Sequence, residues 1–216
     1  RAGGLGRPAP NLTSQPGPIA RTVRDAAMLL QLLAGQDARD PMSLRDPPVD
    51  YLANLDDGVR GLKIAWSQDL GYATIDPEVA AITAEAARIF EELGCSVDQP
   101  SFQLDDPATA FRTIFYTNNF ASYGHLLKEN PEKLTDNARF CLEQVSQATG
   151  ADYADALRTV EVLRARVEDL LETYDLLLSP TMAVPPFPIG QPPKNIAGID
   201  VQANASYSPL TRPFNL

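Results

Sequence analysis

Apolar residues recur at helical spacing along five stretches of the chain and in short runs along three others. The first helical stretch opens at Thr22, a capping residue, with Asp25 three positions on as a short capping-box partner. Val23, Ala26, Ala27, Leu30 and Leu33 form its stripe, and Gly35 suits the position past its end. A Pro/Asp-rich loop runs from Gln36 to Pro48. Leu62-Lys63-Ile64-Ala65-Trp66 then reads as a buried strand after Gly61. Asp76-Pro77 places a cap and an N1 proline at a second helix. Val79, Ile82, Ala86, Ile89, Phe90 and Leu93 are expected to form one apolar stripe on it, ended by Gly94. Cys95 to Asp98 resumes as a strand. Two strands joined by a helix of this length pair in parallel with a right-handed crossover, which makes the fold α/β.

The middle of the chain predicts helices over 107–128, 131–147 and 151–174. On the third, Tyr153, Leu157, Val160, Leu163, Val167, Leu170 and Leu171 are expected to face the core. Asp175-Leu176-Leu177-Leu178-Ser179 is short, apolar and stopped by Pro180, so it reads as another buried strand. Six of the 19 prolines fall from Pro180 to Pro193, a stretch that excludes regular structure. Residues 1–18 hold four prolines and four glycines and read as irregular leading chain.

Charge and composition narrow the function. The 18 Lys+Arg against 28 Asp+Glu give a formal net charge of −10, which argues against a nucleic-acid surface and against anionic lipid. No apolar run approaches the length of about 20 residues that spans a bilayer, and the Gly/Pro-rich stretch from Arg1 to Pro10 lacks the apolar h-region of a signal peptide. Cys95 and Cys141 read as free thiols on buried segments, the usage of a cytoplasmic protein. His125 is the only histidine, so a multi-His metal site is ruled out and a Ser–His–Asp mechanism would have to use it.

Most individual candidates have a structural reading. His125 has no sequence-local partner and reads as a surface or core histidine on a helix face. Asp105-Asp106, and Asp37 with Asp40, sit beside Pro or Gly and read as caps and turns. Arg158, Arg164 and Arg166 are interleaved with Glu161, Glu168, Asp169 and Glu172, the pattern of a solvated, salt-bridged face. Gly3-Gly4-Leu5-Gly6 lacks the flanking strand and helix of a phosphate loop. The sequons at Asn11 and Asn204 carry no weight without a secretion signal.

One string has a different character. Gly17-Pro18-Ile19-Ala20-Arg21-Thr22-Val23-Arg24-Asp25-Ala26-Ala27 resembles the Gly-Pro-[Met/Ile]-Ala-Arg-Thr-Val-x-Asp-Ala-Ala segment of the amidase signature family. Gly61-Leu62-Lys63-Ile64 and Asp76-Pro77-Glu78-Val79 fit its next strand and helix start. Tyr174-Asp175-Leu176-Leu177-Leu178-Ser179-Pro180-Thr181 resembles its late strand and turn, and Thr211-Arg212-Pro213-Phe214-Asn215-Leu216 the start of its Thr-x-Pro-Phe-Asn segment. The segments occur in the family's order and span nearly the whole chain.

The resemblance implies an amidase-signature α/β/α sandwich with a mixed central sheet and many helices. It implies hydrolysis of carboxamides to a carboxylate plus ammonia or an amine by a Ser-Ser-Lys triad. In that design a neutral lysine takes a proton through a bridging serine, and backbone N–H groups hold the oxyanion. No cofactor is needed, and neither is a histidine. The family's nucleophile lies in a Gly/Ser-rich stretch upstream of the Gly-Pro-Ile-Ala-Arg-Thr string, yet this chain has no Gly-Ser or Ser-Gly dipeptide. None of Lys63, Lys128, Lys133 and Lys194 matches the catalytic lysine position. No catalytic residue is therefore carried over. Residues 1–216 are expected to be the middle and C-terminal portion of a single amidase domain, cut at both ends and inactive alone.

By position in the family's pocket, Tyr116 and Thr181 are the substrate-binding candidates. Their alternatives are core packing for Tyr116 and a turn hydroxyl for Thr181. The implied partner is a small-molecule amide, with no nucleic acid and no membrane, and a homodimer is left open. Two rival readings stand: a non-catalytic module that pairs with a triad-bearing subunit, or part of a glutamyl/aspartyl-tRNA amidotransferase A subunit. The Ser67-Gln68-Asp69-Leu70-Gly71-Tyr72 string looks more like the stand-alone amidases.

Overall fold

The structure, a computed structural model, describes residues 13, 17–38, 43–47, 49–201 and 207–216. The Gly3–Gly6 run, Asp40, Asn11 and Asn204 lie outside the described residues. The chain divides into two compact units: residues 1–58, 112–154 and 215, and residues 59–111, 155–214 and 216.

The first unit begins with α1 (Val23–Leu33). Its start is the expected one: Thr22 Oγ1 accepts a hydrogen bond from the Asp25 N–H at 3.1 Å. Gly35 follows the C-terminus at φ 117°, a conformation that favours glycine. The expected core stripe is corrected. Only Ala27 of the stripe is buried, while Val23 is 75% and Leu33 40% exposed.

The long helix expected over 107–128 divides into α3 (Ala108–Tyr123) and α4 (Leu126–Glu129). The break falls at Gly124-His125, where a Cβ on Gly124 would stand 2.6 Å from the Phe120 carbonyl oxygen. The stretch expected as one helix over 131–147 is a 3-10 turn (Pro131–Lys133) and then α5 (Asp136–Gln144). Thr135 starts α5 afresh by capping the Ala138 N–H at 3.2 Å. Ile114, Leu142 and Val145 are buried here, and Cys141 is a half-buried free thiol.

The second unit is built on a three-stranded sheet, β1 (Lys63–Trp66), β2 (Ser96–Asp98) and β3 (Leu176–Leu178), in the order β2-β1-β3. Both pairings are parallel, with Ile64 opposite Val97 on one side and opposite Leu176 on the other. Between β1 and β2 runs α2 (Pro77–Glu92), capped by Asp76 through the Glu78 N–H at 2.9 Å. Before β3 runs α6 (Gly150–Leu171). Cys95 is a half-buried free thiol whose Sγ donates to the Val59 carbonyl at 3.1 Å. The antiparallel pairing among the described residues is a separate hairpin, β4 (Asn195–Ile196) with β5 (Ile199–Asp200). Its turn puts Ala197 at φ 51° and Gly198 at φ 84°, and the Gly198 N–H donates to Asn195 Oδ1 at 3.0 Å. This hairpin was absent from the sequence expectation. The last element is α7 (Arg212–Asn215).

Three expectations are corrected in this unit. The α2 stripe is split: Ala87 is buried and Val79 and Phe90 half-buried, while Ile82, Ile89 and Leu93 are exposed. The expected stripe took in Ala86, which is exposed, and missed its neighbour Ala87, the buried residue of the helix. On α6 the buried residues are Ala156, Leu163 and Leu170, whereas Leu157 and Leu171 are exposed. The strand over 175–179 is not fully buried either: β3 is an edge strand of this sheet, and Leu176 is 45% exposed.

The core of the second unit gathers Leu70, Ile75, Leu104, Leu163, Ala183, Val184, Ile196 and Leu210. Leu70 is fully buried in spite of a φ of 54°, because the turn after β1 forces it inward. Gly71, next in that turn at φ 83°, lies against Gln103: a Cβ there would stand 2.7 Å from the Gln103 side chain and 2.8 Å from its Cα. We expect Gly71→Ala to cost about 2–3 kcal/mol, combining left-handed strain with overpacking. Gly58 also has positive φ, 79°, but nothing within 4 Å of such a Cβ. Gly58→Ala is expected to cost only about 1 kcal/mol. Urea midpoints of the two variants check the difference.

Candidate functional site

In an open parallel sheet, ligands bind outside the carboxyl ends of the strands, where successive connections leave to opposite sides. Here β1 connects to β2 on one side, and β3 lies on the other side of β1. The loops leaving β1 and β3 therefore frame the candidate site.

The loop leaving β1 is fastened by its own polar groups. The Ser67 N–H donates to the Leu178 carbonyl at 3.0 Å, extending the pairing of β1 and β3 by one step. Ser67 Oγ accepts from the Leu70 N–H at 3.0 Å, and Asp69 Oδ1 from the Gly71 N–H at 2.8 Å. The loop leaving β3 turns at Ser179-Pro180. Pro180 is buried, Thr181 is exposed, and Ala183 returns to the core with no exposure. Ala183 is held twice: its carbonyl accepts from the Asp76 N–H at 2.8 Å, and its N–H donates to the Tyr207 carbonyl at 3.0 Å.

Beside Thr181, this loop and the first turns of α2 enclose an apolar groove of about 370 Å³. Val79, Ile82 and Thr83 form one wall; Met182, Val184 and Pro185 to Phe187 form the other. The Phe187 ring is packed against Tyr207, centroids 5.5 Å apart and planes at 59°. Glu78 at the rim is the one ionisable lining residue.

The C-terminal segment is tied to the same loops. The Tyr72 hydroxyl donates to the Pro209 carbonyl at 2.8 Å. Burial pushes the Tyr72 phenol above its ordinary range, and the charge of Asp106 adds to this while Arg212 opposes it. Arg212 is nearly buried and its Nη1 stands 4.0 Å from Asp106 Oδ1. Asp106 Oδ1 also accepts from the Ala108 N–H at 2.9 Å, starting α3.

Tyr116 belongs to the first unit and Thr181 to the second. Tyr116 is half-buried on α3, its ring 5.9 Å from that of Phe115. His125 is exposed between α3 and α4, where its carbonyl accepts from Lys128 and Glu129. Arg158 pairs with Asp155 and Arg164 with Glu168, both at 2.8 Å and solvent-exposed on α6. Arg166 departs from that pattern: it reaches the Gln103 carbonyl at 3.0 Å and Asp105 at 3.5 Å, bracing the loop before α3. Among the described residues no group of three His, Cys, Asp or Glu side chains could hold a metal ion. No helix among them is long and apolar enough to cross a membrane.

A family model described as Amidase matches residues 1–216. The chain belongs to the amidase family. This amidase chain is 32% identical over 207 residues to the acylamidase of Rhodococcus erythropolis, covering 93% of itself and 43% of that protein. It is 34% identical over 206 residues to the glutamyl-tRNA(Gln) amidotransferase A subunit of Myxococcus xanthus, covering 82% of itself and 42% of that protein. It superposes on a bacterial aryl acylamidase of the amidase signature family with a TM-score of 0.81, at 27% identity and over 92% of this chain and 44% of that one. The amidase chain thus spans less than half the length of these relatives.

Sequence reasoning missed Tyr72, the buried Arg212 and the groove. One usable signal was a charged residue between two prolines in the mostly apolar Pro209–Phe214 run. Another was the proline-dense loop after β3, whose stiffness suits a wall.

Tyr72 generates a pH prediction. Its folded pKa is raised above the unfolded value near 10.0, so the native state holds a proton that the unfolded chain releases. The contribution is fully present below pH 10 and is lost as pH rises beyond it. We expect unfolding free energy to fall above that pH, and Tyr72→Phe to flatten the decline while costing about 1–2 kcal/mol at neutral pH. Urea titrations across alkaline pH check both.

Proposed function

We propose that this chain is the middle and C-terminal part of an amidase domain that hydrolyses small-molecule carboxamides to a carboxylate plus ammonia or an amine. The observation that carries the reading is the family match over residues 1–216 in a sequence without a Gly-Ser dipeptide. The serine nucleophile, bridging serine and lysine base are then supplied by polypeptide outside these residues. This chain supplies binding surface: Thr181 beside the apolar groove, and Tyr116 on α3. A backbone fixed at the carboxyl ends of β1 and β3 supports such a role, because positioning groups act best on rigid elements. Two half-buried free thiols fit a cytoplasmic setting.

A second reading, an amidotransferase A subunit, is favoured by the 34% identity to the Myxococcus xanthus protein. The net charge of −10 leaves RNA contact to partner subunits under that reading. Co-purification with such subunits from the native source separates the two.

The test of the first reading is an assay of the purified 216-residue chain against aliphatic and aryl amides, following ammonia or amine release. We expect no release above the blank. Turnover that disappears in Ser67→Ala or Ser179→Ala would place the chemistry inside this chain and overturn the proposal.

A further inference from the structure

We propose that the outer face of α2 docks an amphipathic helix from a partner polypeptide, one with branched aliphatic side chains along its seam and Lys or Arg beside them. The inference goes beyond the amidase reading and does not rest on it.

Val79, Ile82, Ala86, Ile89 and Leu93 follow one another at alternate spacings of three and four residues, the a and d positions of two heptads. This strip is not the face that holds α2 to its unit. The buried residue of the helix is Ala87, whereas Ile82 is 61%, Ile89 50% and Leu93 50% exposed. Val79, in the first turn, is half-buried against the core. At that end the strip runs into the groove beside Met182, which Val79 and Ile82 also line, so a partner side chain has a recess to enter. Ala86, in the middle, is small and exposed, and it leaves a hole for a large knob.

The borders of the strip differ from those of an enclosed helix. α1 is apolar around most of its circumference, with Val23, Met28 and Leu32 exposed, the composition of a helix surrounded by its own domain. The α2 strip is narrow, and one border is a row of glutamates. Glu78, Glu85 and Glu92 occupy successive g positions, seven residues apart, and all are exposed. Glu85 pairs with Arg88 at 3.3 Å, but both side chains are more than half exposed, so the pair is readily exchanged for another.

That row selects the partner. In an antiparallel pair of α2 helices the g positions face each other, which sets one glutamate row against the other. In a parallel pair the row faces Thr83 and Phe90, which carry no charge. A second copy is therefore disfavoured. A helix with Lys or Arg at the facing positions meets three carboxylates, and the chain's net charge of −10 steers it in.

The experiment titrates the 216-residue chain into two labelled three-heptad peptides, both with Ile and Leu along the seam, one with Lys and one with Glu at both flanks. Like flanking charges keep each peptide from pairing with itself. Fluorescence anisotropy reads binding, and circular dichroism reads the helix that the peptide gains. We expect the Lys peptide to bind saturably, to gain helix, and to bind about tenfold tighter than the Glu peptide. Glu85→Lys with Glu92→Lys should reverse the preference. Ile82→Asp with Ile89→Asp should abolish binding of the Lys peptide, although the added negative charge would strengthen a merely electrostatic attraction. All four positions are exposed, so the fold tolerates the changes.

Equal binding of the two peptides would overturn the inference, and so would Lys-peptide binding that survives Ile82→Asp with Ile89→Asp. A chain that dimerises by itself and turns monomeric in that variant would give the strip to a second copy, and equally overturn it. If a longer native polypeptide containing these residues ignores the Lys peptide that the 216-residue chain binds, α2 is covered within its own domain and the inference falls. Amide turnover enters none of these readouts, so this proposal and the amidase reading fail separately.

Discussion

The second unit depends on the backbone pairing of β1 with strands on both of its sides. Ile64 and Ala65 are almost wholly buried because β2 and β3 flank them. The pairing with β3 joins residues more than a hundred positions apart, and Asp175 closes it at the amino end: its carboxylate accepts from the Lys63 N–H at 2.8 Å and its own N–H donates to the Lys63 carbonyl at 2.9 Å. At the carboxyl end the Ser67–Leu178 bond adds the last rung. Two loops far apart in sequence thereby leave the sheet side by side.

Those loops carry the consequences. The turn after β1 drives Leu70 into the core and presents Tyr72 to the C-terminal segment. The turn after β3 exposes Thr181, buries Ala183 and lays a proline-stiffened wall along α2. Tyr207 and Tyr72 then bind the C-terminal segment to both loops, and Arg212 ties it to Asp106 before α3. Few of these contacts are individually strong. Together they make a surface whose backbone has little freedom left, which is the physical requirement for selective binding.

Much of the local structure was legible. Thr22, Asp76 and Gly35 mark helix ends through backbone chemistry that needs no distant partner. The parallel pairing of β1 and β2 was legible because a helix-length connection permits little else. Helix breaks at Gly124 and near Thr135 were missed because apolar periodicity continued across them, and a close approach that only glycine permits or a new cap interrupts a helix without changing its stripe. The buried faces of α2 and α6 were misdrawn for another reason. Hydrophobic periodicity ranks residues by apolar size, whereas close packing selected Ala87 and Ala156 and left Ile82 and Leu157 outside.

The sequence by itself determined the α/β class, the helix starts at Thr22 and Asp76, the exclusion of a multi-histidine site within these residues and the ordered segments that mark an amidase. Each rests on residue type, spacing or order along the chain. Only the tertiary structure decided that the loops after β1 and β3 meet, that Arg212 and Tyr72 are drawn inward, and that Met182 and Phe187 line a groove with α2. Those facts depend on which strands become neighbours, and strand pairing across more than a hundred residues leaves no local pattern to read.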